Sequence, residues 1–443
     1  RSAHGVRMAY VAGAMAGGIE SADLVVAMGR AGLIGFFGAG GLPVDAVEAS
    51  LKTISETLTN GEAWGANLLN NPHEPAVEEQ TVDLYLKYGV TRISASAYMD
   101  LSPAVVRYRL TGLHLDASGK PACLNHVFAK VSRPEVAGKF MRPAPEKMLK
   151  EFVAQGILTP EQADWAKEIP IAEDITAEAD SGGHTDHRPA LVLLPLLRQQ
   201  RDAVSRELNY AQKGIRIRVG LAGGLGTPDA IWGAFSMGAD YVLTGSVNQA
   251  CLEAGTSETA KEMLKEAAFT DVSSGPAPDM FEIGAKVQVL SRGSMYAQRA
   301  QRLYDIYKRY SSIEDIPQKE RAKIEKQLFK RDLDEVWQGT REYWSGRDPA
   351  QVERADKDSH YKMALTFRWY LGMTSRWARM GEADRKRDFQ VWCGPSMGGF
   401  NAWVEGTALD PIESRRVADV ADALMKGAAG QARVSMARTA GLL

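Results

Sequence analysis

The stretch "VGLAGGLGTPDAIWGAFSMGADYVLTGSVNQ", Val219 to Gln249, decides the fold. An apolar run ends in Gly223-Gly224. Thr227 and Pro228 then have the chemistry of a helix N-cap and a first helical residue. Ile231 and Phe235 fall on one face of that helix. The helix stops at Gly238, and a second apolar run leads into Gly245-Ser246. This is one β-α repeat flanked by two glycine-rich points, each just after a strand.

Outward from this unit the same text recurs. "MAYVAGAM", "LIGFFGAGG", "WGANLL", "VTRISASA", "HVFAKVS" and "DITAEAD" precede it as further strand-like runs, with helical segments between most of them. The runs are apolar without clean alternation, as expected for strands buried on both faces of a parallel sheet. Helices halt at glycine just before a strand in "MGRAG", "KYGVT" and "MGADY". Eight such units suit a (β/α)8 TIM barrel better than an open α/β sheet. From Ser291 the text becomes helical, charged and aromatic. The expected organisation is a barrel over 1–290, a C-terminal helical insertion or cap domain over 291–405, and terminal helices over 406–443 that pack back on the barrel.

The composition limits the function classes. The chain has 443 residues, 45% hydrophobic and 24% charged, enough for a substantial core. A net charge of −2 gives no general pull toward nucleic acid or a membrane surface. Cys123, Cys251 and Cys393 are too few and scattered for a disulfide framework or a thiolate metal site. The longest apolar run, "ALVLLPLL" from Ala190, is far too short to span a bilayer. No signal peptide is visible, the opening "RSAHG" reads as a trimmed start, and the cytoplasm is the expected compartment.

In a barrel of this kind the loops after the seventh and eighth strands commonly bind phosphate through backbone N–H groups and a helix N-terminus. Gly223, Gly224, Gly245 and Ser246 occupy those positions. "GLGTPD" is not a dinucleotide fingerprint, because Asp229 stands where the third glycine belongs. Plain turn chemistry is the other reading of these glycines. "EADSGGHTDH" is the second informative stretch. Gly182-Gly183 permits close ligand approach, and His184 is a candidate to orient a carbonyl or supply a proton. Against this stands an ordinary hydrogen-bonded loop histidine, or a metal shared with Asp186 and His187. His126 reads as packing or pocket wall. Lys130, ending a buried-looking strand, either meets an anion or polar ligand edge or snorkels to water. Asn67 is a ligand contact or a satisfied core amide.

Taken in order, "AMAGGI", "GLIGFFGAGGL", "WGANLL", "EADSGGH", "AGGLGTP" and "GADYVLTGS" resemble the nitronate monooxygenase superfamily of flavin-binding TIM barrels, which includes a flavin-dependent enoyl-ACP reductase. "HVFAKVSRPEVA", "VQVLSRGSMYAQRAQRLYDIYKRYSSIEDIP", "WQGTREYW" and "VWCGPSMGGFNAWVEGT" look like the trans-acting enoyl reductases of polyunsaturated fatty acid and polyketide synthases. The resemblance implies FMN, with NAD(P)H as reductant, and an enoyl thioester on acyl carrier protein as substrate, within synthase modules. It implies that Ala14, Met15 and Ala16 flank the flavin ring, that Asn67 and Lys130 address its polar edge, and that Gly182 and Gly183 line it with His184 at the reacting face. Gly223, Gly224, Gly245 and Ser246 hold its phosphate. No metal is implied, and a homodimer is left open. One departure is Ala14, where superfamily members often have Pro. The alternatives are a nitronate-oxidising flavoenzyme and a non-catalytic synthase scaffold. "KERAKIEKQLFKR", from Lys319, is a carrier-protein docking site or a solvated helix face. Phe367, Trp369, Tyr370 and Trp377 wall an acyl tunnel or pack a core.

Overall fold

The computed structural model describes residues 1–71 and 74–442. Its centre is a closed barrel of eight parallel strands: Tyr10–Ala12, Ile34–Phe37, Gly65–Leu69, Arg92–Ser96, His126–Val131, Asp174–Glu178, Arg218–Ala222 and Val242–Thr244. Each strand pairs with the next in sequence, and the eighth closes on the first through Tyr10↔Val242 and Ala12↔Thr244. The eight runs expected from the sequence are these eight strands, and the TIM barrel holds.

Local chemistry sets the connecting helices. Ser21 caps Ala22–Arg30 by accepting from the Leu24 N–H at 3.1 Å. Thr227 caps Pro228–Ser236 by accepting from Ala230 at 3.2 Å. Pro43 stands one residue outside its helix, which begins at Val44. Inside the barrel, Val11, Ile34, Phe36, Phe128, Tyr241 and Leu243 form a buried cluster. Glycine makes room for its rings: a Cβ on Gly220 would fall 2.4 Å from the Tyr241 ring.

The chain forms two compact units. The first comprises 1–181, 186–255 and 399–443, the barrel with its surrounding helices. There the long helix Val417–Thr439 lies along Pro228–Ser236, and a Cβ on Gly427 would meet Pro228 at 2.5 Å. The second unit comprises 182–185 and 256–398. It is not wholly helical. Val272–Pro276 and Lys286–Leu290 pair antiparallel, and Gly183–His184 adds a third strand against Val287 and Gln288. The reading of the text up to residue 290 as barrel had no place for this sheet. The helices Tyr296–Arg309, Leu333–Arg347 and Ser359–Met380 make most of the rest. Phe367 and Tyr370 are fully buried and pack against Phe281 and Phe329, so the aromatic stripe builds a core. Among the described residues no helix is long and apolar enough to cross a membrane.

Candidate functional site

The C-terminal rim of the barrel gathers most of the residues singled out from sequence. The seventh and eighth strands are neighbours in register, Ala222 opposite Leu243, so Gly223-Gly224 and Gly245-Ser246 leave the sheet side by side. Gly224 has φ +73°, and a Cβ there would have no atom within 4 Å; the space at Gly245 is equally open. Gly223 is a glycine for another reason. At φ +91° its Cβ would collide with the Asp180 carbonyl oxygen at 2.6 Å. One glycine of the pair thus lets the rim loops pack, and the other faces open space. Thr227 starts its helix three residues later, and Ser246 opens the short helix that ends at Gln249.

Ala14, Met15 and Ala16 follow the first strand and are partly exposed. Their loop is clamped by the next one. Gly17 N–H donates to Gly40 O at 2.7 Å, Gly18 N–H donates to Gly38 O at 2.9 Å, and a Cβ on Gly38 would overlap the Met15 oxygen. Asn67 is 5% exposed and accepts the Gly40 N–H on Oδ1 at 3.1 Å. Its side-chain carbonyl therefore secures the loop that secures Met15. Among the described residues its Nδ2 donates to no group. Lys130 forms an ion pair with Glu178, at the end of the neighbouring sixth strand, and Ser181 donates to the same carboxylate at 3.4 Å. The ammonium thus meets an anion supplied by the chain itself. Glu178 was not singled out beforehand, though its place at a strand end next to "AD" was visible.

Gly182, Gly183 and His184 belong to the second unit. Gly182 is tight because its Cβ would lie 2.9 Å from the Cys393 backbone, and Gly183 has φ +79°. His184 stands on a strand, with Nε2 2.9 Å from Asp279 Oδ1. Desolvation pulls the Asp279 carboxyl upward, and the hydrogen bond and charge of His184, with a backbone N–H and Arg368, together outweigh it, leaving the group below its ordinary value. An imidazole so anchored has one nitrogen committed and Nδ1 available. Asp279 lies 95 residues from His184 in sequence, and no motif announced it.

The neighbouring candidates diverge. Asp186 accepts from Ser132 at 2.7 Å and from Arg133 at 3.2 Å, while His187 pairs with Asp180 at 2.8 Å. Among the described residues no group of three His, Cys, Asp or Glu could hold a metal. His126 is wall. It meets the His4 ring edge-on at 5.1 Å, and burial, with repulsion from Arg109, pushes its pKa down to about 4. Glu20, just past the Met15 loop, is fully buried, and among the described residues neither carboxylate oxygen has a hydrogen-bond partner. Burial, reinforced by Glu253, raises its pKa well above the ordinary range.

The residues fit a phosphate-bearing cofactor. Two open glycine positions at the ends of adjacent strands, each followed by a helix start, leave room for a phosphate beside backbone without a Cβ in the way.

Comparison with known proteins gives the setting. Residues 310–389 match the family model described as [acyl-carrier-protein] S-malonyltransferase, inserted helical domain. One component of a polyunsaturated fatty acid synthase from Thraustochytrium is 46% identical over 92% of this chain and 27% of its own length. The chain spans between 22% and 54% of the curated relatives it matches. The structure of FabK from Thermotoga maritima shares the fold at TM-score 0.55 and 15% identity, over 99% of this chain and 97% of that one. The enoyl reductase domain of MlnA, from the macrolactin biosynthesis cluster of Bacillus amyloliquefaciens, superimposes at TM-score 0.94 with 39% identity, over 98% of this chain and 97% of that one. The chain therefore belongs to the family of enoyl reductase domains of polyketide and polyunsaturated fatty acid synthases represented by that of MlnA.

Proposed function

We propose that this chain reduces the α,β-double bond of enoyl thioesters on acyl carrier protein, using FMN and NAD(P)H, in polyketide or polyunsaturated fatty acid assembly. The observation that carries the reading is the pair of open glycine turns, Gly224 and Gly245, on adjacent strand ends. Backbone N–H groups there, with Gly223, Ser246 and the helix starting at Pro228, hold the cofactor phosphate. Ala14, Met15 and Ala16 present backbone to the ring, and the clamp from Gly38 and Gly40 keeps that segment in place. A flavin bound there would supply hydride chemistry, with NAD(P)H as its reductant.

The side chains do the rest. Asn67 has its Oδ1 fixed on Gly40, so its amide NH2 is oriented to donate to a ring acceptor. Lys130, its ammonium held by Glu178, would address the polar edge of the ring, where a nearby cation favours the negative charge that collects on reduction. His184 gives a proton from Nδ1 to the thioester α-carbon as the β-carbon gains hydride. Asp279 holds Nε2–H throughout, so the histidine ends neutral and is reprotonated from solvent.

Purified protein should be yellow, bleach on anaerobic addition of NAD(P)H, and recover its colour when a crotonyl thioester is added. Bleaching without recovery by the thioester, or no bleaching at all, would refute the reductase reading.

A further inference from the structure

The helix Gln318–Ile324 runs into a π-helical turn, Glu325–Phe329, within the second unit. Ile324, Leu328 and Phe329 are buried. On the opposite side Lys319, Lys323 and Lys326 follow at the four- and three-residue spacing that aligns side chains on one helical face, and all three are exposed. None of the three forms an ion pair among the described residues. The nearby acids are engaged elsewhere. Glu320 accepts from the Tyr310 hydroxyl at 3.0 Å, and Glu325 accepts from Arg321 at 2.9 Å and from the Leu333 N–H at 3.0 Å. Arg302 adds a fourth cation beside the stripe, where it donates to the neutral Gln327 at 3.1 Å. From Pro317 to Arg331 there are six basic residues and two acidic ones, on a chain of net charge −2.

A second observation points to the occupant. The stripe lies inside residues 310–389, the segment that matches the inserted helical domain of a malonyl transferase acting on acyl carrier protein. Thioester transfer and double-bond reduction have no chemical step in common. A helical module used with both is explained by the one thing they handle alike, the carrier protein. Carrier proteins are acidic, so their charge complements an unneutralised lysine stripe.

We propose that Lys319, Lys323 and Lys326, with Arg302, form the docking face for an acidic acyl carrier protein. This rests on the enoyl-reductase reading above. Docking through rim charges changes association and its salt dependence and leaves chemistry at a remote site unchanged.

The experiment measures binding and turnover separately on the full chain. Fluorescently labelled crotonylated acyl carrier protein is titrated with wild type and with the triple variant Lys319→Glu, Lys323→Glu, Lys326→Glu. Reduction of crotonyl-pantetheine, which carries no protein, is followed alongside. Wild type is expected to bind with an affinity that falls as salt rises. The variant should bind about tenfold or more weakly with little salt dependence, and reduce crotonyl-pantetheine at the wild-type rate. The Lys→Arg triple should keep wild-type binding. Equal carrier affinity in wild type and the Glu triple, or no carrier binding by wild type, overturns the docking face. Failure of wild type to reduce crotonyl-pantetheine would instead count against the reductase reading and leaves the binding result to decide docking.

Discussion

The two ends of the barrel are built on opposite principles. At the floor, side chains fill the space. His4 and Arg218 both grip Asp174, at 3.0 Å and at 2.6 and 2.7 Å, and Asp174 is 1% exposed. Burial alone would raise that carboxyl, yet Arg218 and His4 hold its pKa at about 2. At the rim, Gly224 and Gly245 leave space open. The floor is filled for stability and the rim is left open, and the proposed function puts the ligand there, the division expected of this fold.

The largest effect should come from breaking the floor. Asp174→Ala takes away the main partner of Arg218, leaving its guanidinium one carboxylate, Glu173 at 3.5 Å, at a cost of about 3 kcal/mol. Urea denaturation should show the lower midpoint. A loss under about 1 kcal/mol would mean the floor is not what holds this end together. The same pair sets an acid limb. The folded pKa lies below the unfolded one, so its stabilisation is present above about pH 4 and drains away as pH falls toward about 2. Asp174→Asn should flatten that limb.

At the rim the effect should fall on ligand rather than fold. Gly224→Val puts a β-branched residue at φ +73°, costing about 1–2 kcal/mol of stability while filling the cradle. Flavin retained through gel filtration should drop steeply. Undiminished flavin would remove Gly224 from the site.

His184→Ala should keep its flavin and lose about a hundredfold in thioester reduction. Asp279→Asn should lose less, because it orients the imidazole without touching substrate, and should shift the pH–rate profile. A profile identical to wild type would leave Asp279 a surface ion pair only.

The smallest effect concerns Glu20. Its raised pKa means the folded state keeps a proton the unfolded chain releases, so stability declines as pH climbs above the unfolded value of about 4.3. Glu20→Gln should lessen that decline in thermal melts taken from about pH 4.3 upward.

What was legible in the sequence follows the same division. The rim was readable because glycine, Thr227 and Pro228 act locally, within one repeat. The eight strands were readable because burial on both faces makes apolar runs. The partners Glu178, Asp279 and Asp174 were not, because each meets its histidine, lysine or arginine across 44 to 170 residues of chain. His4 sat in a segment that read as a trimmed start and turns out to close the floor. The sheet of the second unit escaped notice because "VSSGP" has little strand character and its third strand is two residues long. His184 was singled out by its glycines, but its setting on a strand depends on a pairing with Val287 that no local pattern encodes.

The central claim is that Gly224 and Gly245 grip a phosphate, and comparing two ligands tests it directly. FMN and riboflavin share the ring and differ in the phosphate. Apoprotein titrated with each should bind FMN about a hundredfold or more tightly than riboflavin, the loss expected for removing charge-assisted N–H contacts. Equal affinity for the two, or no uptake of either, would contradict the account.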